Sequence, residues 1–333
     1  MIKRLLFVVF FILILLGSSL WLDYATFRDE PVMLPEPSMI FEIPRGTSLR
    51  TVARRLSEEG ILKHPYYFIA LAYERGEQSR IKAGEFELVA GMTPADVLAR
   101  ITSGQVVQYG VTLVEGWTFR QALAAIEEQP RFVGSLVDRS DADLMAELGH
   151  PGEHPEGRLF PDTYVFPRQT PRFQVLRRAF ERMEQVLAEE WAGRQDDLPI
   201  KTPYEALILA SIIEKETGAP HERAEIAGVF VRRLRQGMRL QTDPTVIYGM
   251  GDRYEGRIRR ADLREATPYN TYVISGLPPT PIALPGRAAI HAALNPEDGT
   301  TLYFVSRGDG THVFSETLAE HNRAVRRYIL GQE

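Results

Sequence analysis

The chain has 333 residues, of which 44% are hydrophobic and 25% are charged, as in an ordinary globular protein. Its net charge of −5 argues against a nucleic-acid partner, because nucleic-acid-binding domains usually carry an excess of Lys and Arg. Cysteine is absent, which excludes disulfides, thiolate catalysis and Cys-based zinc sites. The length allows a membrane segment and about two domains.

The N-terminal segment predicts a membrane anchor. Lys3 and Arg4 precede an uncharged run over residues 5–22, close to the ~20 residues that cross a bilayer. Basic residues before the run predict an N-terminus in the cytoplasm, with the rest of the chain outside the cytoplasmic (inner) membrane, on its periplasmic side. The alternative is a cleaved signal peptide, but the run is longer than a usual signal core and no clear Ala-x-Ala site follows. Residues 1–24 are therefore interpreted as a cytoplasmic tip and single-pass anchor, and the Pro- and acid-rich residues 25–38 as a linker.

A strand–turn–helix pattern follows three times. Each copy combines a short alternating strand, a glycine turn, a Ser or Thr N-cap and an amphipathic helix. The copies span residues 41–56, 86–101 and 111–126, their turn glycines are Gly46, Gly91 and Gly116, and their N-caps are Ser48, Thr93 and Thr118. The first copy resembles the LysM-like module of peptidoglycan-binding proteins, although a recurrent strand–turn–helix without a common function fits the spacing as well. We expect an α+β module over residues 39–108 and a mixed α+β domain over residues 109–333.

The other segments predict several helices joined by turns. Helices are expected over residues 65–80, 140–148, 173–191, 224–235 and 315–330, a strand over 302–305, and extended structure over 155–166 and 240–248. The stretch between residue 249 and that strand reads as irregular, because it is dense in Pro, Gly, Asn and Tyr.

The segment over residues 207–218 has the most unusual pattern. An apolar run ends abruptly in Glu214-Lys-Glu216, with Pro203 at the predicted helix start and Gly218 as the predicted stop. A buried helix would thus carry a carboxylate at its C-terminal end. Burial and the helix dipole both raise a carboxyl pKa there, as a general acid needs.

Of the two carboxylates, Glu214 has the more open predicted neighbourhood. Ser211 and Ala210 lie one turn behind it and are small, which predicts room for a ligand, whereas isoleucines lie behind Glu216. The alternative is that both glutamates form a solvated helix end.

Two later segments place polar side chains in rigid surroundings. Gln241 and Asp243 lie within an apolar run that contains proline, where they either face a ligand or tie loops together. Asp243 is also a possible second catalytic carboxylate, as in two-carboxylate glycosidases, or a simple cap before Pro. Asn270 and Tyr272 lie between Pro-rich turns and suit sugar binding, although a turn-rich loop with core tyrosines explains them equally well.

Neither a metal nor a cofactor is predicted. The C-terminal His and Glu residues do not match His-Glu-x-x-His spacing, and no Gly-x-Ser-x-Gly nucleophile motif occurs.

Together these motifs resemble the MltG (YceG-like) endolytic murein transglycosylases, over the length of the chain from the anchor to the last helix. The matching segments, in order, are Pro155-Glu-Gly-Arg-Leu-Phe-Pro-Asp-Thr-Tyr164, Ala210-Ser-Ile-Ile-Glu-Lys-Glu-Thr217, Met238-Arg-Leu-Gln-Thr-Asp-Pro-Thr-Val-Ile-Tyr248, Pro268-Tyr-Asn-Thr-Tyr272, Gly276-Leu-Pro-Pro-Thr-Pro-Ile282 and His312-Val-Phe-Ser-Glu-Thr317. Thr242 stands where many members have Ser. The resemblance implies that residues 109–333 form a YceG-like catalytic domain.

The resemblance also implies a reaction and a catalytic residue. The expected enzyme is a lyase that cuts the MurNAc–GlcNAc bond of nascent glycan strands to give 1,6-anhydro ends, with Glu214 as catalytic residue. Gln241, Asp243, Asn270 and Tyr272 are the expected glycan contacts, and peptidoglycan synthases are the expected protein partners. The alternatives are a hydrolytic muramidase that uses Asp243 or Glu216 to handle water, and a non-catalytic anchored scaffold that binds peptidoglycan.

Overall fold

The computed structural model describes residues 2–332 and divides the chain into two compact units. The first runs to Tyr109 and includes Phe166–Gln169, and the second comprises Gly110–Val165 and the residues from Thr170 onward. The predicted boundary after residue 108 lies close to this division. The LysM-like identity of the first unit stays a prediction.

The first unit begins with helix α1 (Ile2–Asp29), which is long and apolar enough to cross a membrane. At 1.5 Å per residue its 28 residues extend about 42 Å. Its apolar side chains are exposed as far as Leu22, whereas Phe27 near its end is buried in the core of the unit. The helix continues beyond residue 24, so the first residues of the predicted linker are helical.

The strand–turn–helix prediction is confirmed in all three copies. Each turn glycine has a positive φ, which glycine adopts without steric cost. Each N-cap oxygen accepts a backbone N–H from three residues further on, as an N-cap does. The strands and helices of this part of the chain are β1 (Ser38–Ile43), α2 (Leu49–Glu58), α3 (Pro65–Glu74), β2 (Gly84–Val89), α4 (Pro94–Ser103), β3 (Gln108–Thr112) and α5 (Phe119–Glu128).

The sheets are small and the rest of the chain is mainly helical, which confirms an α+β class. The strands form three two-stranded sheets that pair β1 with β2, β3 with β4, and β5 with β6. Pairing of β1 and β2 is antiparallel and sets Phe41 opposite Phe86 in the core of the first unit. The remaining elements are α6 (Asp141–Leu148), β4 (Thr163–Pro167), α7 (Arg172–Ala192), α8 (Pro203–Glu216), α9 (Arg223–Arg235), α10 (Asp243–Met250), α11 (Arg287–Leu294), β5 (Tyr303–Ser306), β6 (His312–Ser315) and α12 (Leu318–Tyr328).

Helix α8 is the centre of the second unit, as its apolar sequence predicts. Every residue from Ala206 to Ile213 is buried, and the helix packs against α7, α9, α10 and α11. Pro203 occupies its first turn, and the Thr202 hydroxyl accepts the Glu205 N–H at 3.1 Å. The helix ends at Glu216 with Thr217 as its C-cap, so the predicted stop residue Gly218 directly follows the cap.

Two segments differ from their predicted structure, and each contains a helix that packs against α8. Residues 240–248 are not one extended run, because α10 begins at Asp243 with Pro244 in its first turn, a position that tolerates proline. The stretch after residue 249 is not wholly irregular, because α11 forms there. Its alanines are strong helix formers, and their small side chains allow close packing on α8.

Candidate active site

Glu214 lies in the last turn of α8, with only 6% of its side chain exposed. The predicted space behind it is occupied by the protein itself. The Ser211 hydroxyl accepts the Ile282 backbone N–H at 3.0 Å and donates to the Ile208 carbonyl at 2.7 Å. The expectation that the small residue at this position leaves room for a ligand is therefore wrong.

The Glu214 carboxyl has two polar neighbours from other segments. The Gly286 N–H, at the N-cap of α11, donates to Oε2 at 2.9 Å. Nη2 of Arg223, the first residue of α9, lies 3.6 Å from Oε1. Burial raises the Glu214 pKa, while the Gly286 N–H and Arg223 act against this rise. The site therefore disfavours the charged form at rest, yet offers a donor and a cation to the carboxylate once it forms.

Glu216 lies on the other side of the same helix turn, because two residues correspond to about 200° of helix rotation. The Thr242 hydroxyl donates a hydrogen bond to its Oε1. Burial raises the Glu216 pKa from 4.5 to about 7, and the nearby charge of Asp243 adds to the rise. No cation contacts this carboxyl within the described residues 2–332, so it has less stabilisation for the charged form than Glu214 has.

A cleft of about 530 Å³ opens beside Glu216 and contains three of the predicted glycan-contact residues. Gln241 and Asp243 are exposed in it, and the Tyr272 hydroxyl donates to Asp243 Oδ1 at 2.7 Å. Gln241 has a φ of 53°, an uncommon left-handed conformation for a residue other than glycine. Strained residues of this kind cluster at functional sites, so the cleft is a candidate binding surface.

One wall of the cleft is a stack of planar side chains. The Arg233 guanidinium lies 5.0 Å from the Tyr303 ring centroid, and the His321 ring stacks on the same tyrosine at 5.3 Å. Arg233 also donates to the carbonyls of Leu302 and Leu240, at 2.6 and 2.8 Å, which holds the wall together.

Asn270 lies apart from these exposed residues. It is 1% exposed, and its amide donates to the carbonyls of Asp262 and Glu265 at 3.0 and 2.7 Å. Its Oδ1 accepts the Tyr272 N–H at 3.0 Å. These contacts assign Asn270 to shaping the loop that presents Tyr272, rather than to the surface of the cleft.

Sequence reasoning missed the residues that contact Glu214. Gly286 lies in the stretch that was predicted to be irregular. Arg223 directly precedes the predicted helix over residues 224–235, to which no catalytic role was assigned. A signal for the first was present, since Gly286 precedes a run of alanines with apolar residues at helical spacing. No local signal identifies Arg223, because its role depends on where α9 packs.

Glu156 is a third buried carboxyl, within the motif that follows Pro155. It accepts the Phe119 N–H at 2.8 Å and the Tyr248 hydroxyl at 3.0 Å. Burial raises its pKa to about 7. It therefore joins the start of α5 to α10 within the second unit.

The C-terminal histidine and glutamates lie in hydrogen bonds rather than in a metal cluster. His312 Nδ1 lies 2.8 Å from Glu222 Oε2, while Glu316 accepts the Thr300 hydroxyl at 2.5 Å. Across residues 2–332, no group of three His, Asp or Glu side chains is arranged to hold a metal ion.

Known proteins resemble this chain over most of its length. The YceG-like family model matches residues 41–327. The endolytic murein transglycosylase of Bacillus subtilis (strain 168) is 31% identical over 318 residues, which cover 90% of this chain and 88% of the relative. The enzyme of the same name from Streptococcus pneumoniae serotype 2 is 25% identical over 321 residues, which cover 86% of this chain and 58% of the relative. The crystal structure of a yceG-like protein from Listeria monocytogenes matches with a TM-score of 0.54 and 28% identity, over 86% of this chain and 98% of that one.

Proposed function

This chain belongs to the YceG-like family, and we propose that it is an endolytic murein transglycosylase whose catalytic residue is Glu214. The substrate is the glycan strand of peptidoglycan, and the reaction breaks the β-1,4 bond between N-acetylmuramic acid and N-acetylglucosamine. The observation that carries the assignment of Glu214 is its mixed environment. Burial favours the neutral acid, while the Gly286 N–H and Arg223 stabilise the carboxylate.

The reaction needs one carboxyl to act first as acid and then as base. Neutral Glu214 donates its proton to the glycosidic oxygen as the bond to the muramoyl C1 breaks, which releases the 4-hydroxyl of N-acetylglucosamine. The muramoyl C6 hydroxyl then attacks C1, and its proton passes to the Glu214 carboxylate. The product is a 1,6-anhydro sugar, Glu214 regains its proton, and no water is consumed.

The cleft beside Glu216 suits a segment of the same glycan. Gln241 offers an amide, Asp243 accepts hydrogen bonds from hydroxyl groups, and Tyr272 presents an aromatic surface with a polar end. Asn270 supports this arrangement through its bond to the Tyr272 backbone. The hydroxyl and amide groups of the neutral sugars are suitable hydrogen-bond partners for Gln241, Asp243 and Tyr272.

The proposed location follows from α1. This helix spans the cytoplasmic membrane, with Lys3 and Arg4 on the cytoplasmic side and the chain after residue 24 outside. An enzyme held there meets glycan strands as they leave the membrane-bound synthases. We therefore propose that it works beside those synthases and ends strand elongation.

Product analysis tests this function. The full chain in detergent is incubated with peptidoglycan, and the released glycans are examined by mass spectrometry. We expect 1,6-anhydromuramoyl ends from the wild type and cleavage lowered at least about 100-fold in Glu214→Gln. Only hydrated reducing ends would make the protein a hydrolytic muramidase. Absence of cleavage by the wild type would favour a peptidoglycan-binding scaffold.

A further inference from the structure

A second carboxylate approaches Glu214 from the segment between β3 and α5. Glu115 precedes Gly116, whose positive φ of 76° turns the chain sharply. The Gly116 N–H donates to the Leu284 carbonyl at 2.9 Å, and the Leu284 N–H donates to the Trp117 carbonyl at 2.7 Å. The position of Glu115 is therefore set by backbone hydrogen bonds on its C-terminal side.

Lys215, which neighbours Glu214 on α8, also holds this turn, because its Nζ donates to the Gly116 carbonyl at 3.2 Å. The turn that carries Glu115 is thus tied both to α8 and to the segment that leads into α11.

The Glu115 carboxyl occupies space that only a glycine at position 286 leaves open. A Cβ built on Gly286 would overlap the Glu115 side chain. The Gly286 backbone has a φ of −75° and a ψ of 168°, which any residue adopts, so its conformation does not require glycine. Glycine at position 286 therefore leaves room for the Glu115 side chain.

Arg223 lies between the two carboxylates. Its Nη2 is 3.6 Å from Glu214 Oε1 and 4.0 Å from Glu115 Oε2. The Glu115 side chain is 50% exposed, whereas that of Glu214 is 6% exposed. The guanidinium is therefore shared between an exposed carboxylate and a buried one, and it forms a close ion pair with neither.

We propose that Glu115 is a positioning residue, which competes with Glu214 for the Arg223 guanidinium and so keeps Glu214 ready to donate a proton. This inference rests on the proposed function of Glu214 as the acid. Without Glu115, Arg223 is free to approach Glu214 and stabilise its charged form.

The charges around Glu214 agree with this role. Among the described residues, Glu115 faces it from the segment before α5 and Arg223 from the start of α9, while α11 contributes the uncharged Gly286 N–H. Lys215, on the same helix, is directed to the Gly116 carbonyl. Burial is the main cause that raises the Glu214 pKa, the charge of Glu115 adds to this rise, and the charge of Arg223 opposes it, so removing Glu115 should lower the pKa.

The first test compares Glu115→Gln with Glu128→Gln in the full chain in detergent. Glu128 is an exposed glutamate on α5 and provides the same change of charge away from Glu214. The Glu214 pKa is measured by ¹³C NMR of glutamate carboxyl carbons, and its resonance is identified by its loss in Glu214→Gln. We expect Glu115→Gln to lower this pKa and Glu128→Gln to leave it unchanged.

The second test removes Glu115 from its place without changing its charge. Gly286→Ala keeps the N–H that bonds Glu214, but its Cβ displaces the Glu115 carboxyl. We expect Gly286→Ala to lower the Glu214 pKa as Glu115→Ala does. Adding Gly286→Ala to Glu115→Ala should have no further effect, because the overlapping side chain is already gone.

Enzyme activity gives the matching readout. The alkaline limb of the kcat/KM profile reports the pKa of the acid, so it should move to lower pH in Glu115→Gln. A purely structural role would reduce kcat without moving that limb. An unchanged Glu214 pKa in both Glu115→Gln and Gly286→Ala would overturn the inference, even for an active enzyme. Because the NMR titration needs no turnover, an inactive wild type would remove the proposed function while the inference about Glu115 is still decided.

Discussion

The two sides of the last turn of α8 carry the same side chain in opposite surroundings. Each glutamate lies near another carboxylate, but Glu214 also meets a cation and a backbone N–H, whereas Glu216 meets only a hydroxyl among the described residues. Burial raises both pKa values, so a raised pKa does not distinguish them. What distinguishes them is the means to stabilise the charged state, which a group that gives and then retakes a proton requires.

The largest expected effect separates the two glutamates by activity. Glu214→Gln removes the transferable proton and should lower turnover by about 10²–10⁴-fold, the range typical of general acid–base groups. Glu216→Gln keeps an oxygen that accepts the Thr242 hydroxyl, so its turnover should stay within about tenfold of wild type. Both are measured as release of anhydromuramoyl ends, with circular dichroism as the control for folding. Loss of activity only in Glu216→Gln would identify Glu216, rather than Glu214, as the catalytic residue.

The pH dependence of stability should reveal the buried Glu216. Its pKa is about 7 in the folded chain against an ordinary value of 4.5, so the unfolded chain releases this proton first as pH rises. Stability is therefore lost between about pH 4.5 and pH 7, by on the order of 3 kcal/mol.

Glu216→Gln should remove that loss. The free energy of unfolding is measured by urea unfolding at about pH 4.5 and about pH 7.5. The difference between Glu216→Gln and wild type should shift in favour of the variant at the higher pH. Glu128→Gln, at an exposed position, is the control and should show no such gain. An equal pH dependence in Glu216→Gln and wild type would show that folding does not raise the Glu216 pKa.

The hydrogen bond to Glu216 should also contribute to stability. Thr242→Val keeps the side-chain shape but removes the buried donor, which should destabilise the chain by about 1–3 kcal/mol. Thr300→Val removes a comparable Thr–Glu hydrogen bond at an exposed site, with an expected cost below about 0.5 kcal/mol. Urea unfolding measures both. An equal loss of unfolding free energy in the two variants would show that the buried Thr242 hydrogen bond stabilises the chain no more than the exposed one.

The smallest expected change in stability is at the rim of the cleft. Gln241→Gly relieves the positive φ and should alter stability by no more than about 1 kcal/mol, while loss of the amide should raise KM for glycan. Asp197 also has a positive φ, of 57°, and is exposed outside the cleft. Asp197→Gly should therefore leave KM unchanged. An unchanged KM in Gln241→Gly would remove Gln241 from the glycan-binding surface.

Local sequence signals predicted the helices and turns whose causes are local. The N-caps Ser48, Thr93 and Thr118 follow turn glycines, and each side chain bonds the backbone three residues on. The α8 helix was predictable from its apolar run and from Thr202 and Pro203. The prediction of extended structure over residues 240–248 failed at α10, where Pro244 stands in the first helical turn. The prediction of irregular structure failed at α11, where Gly286 is the N-cap.

By itself the sequence determined the apolar α1 helix, the three strand–turn–helix copies and a buried helix with two carboxyls at its end, because these depend on composition and short-range spacing. Only the tertiary structure decided what each carboxyl meets. Arg223 and Gly286 are 9 and 72 residues away from Glu214 along the chain, and packing of α9 and α11 on α8 brings them to it. Electrostatic surroundings depend on such long-range contacts, so the difference between Glu214 and Glu216 arises from folding rather than from their local sequence.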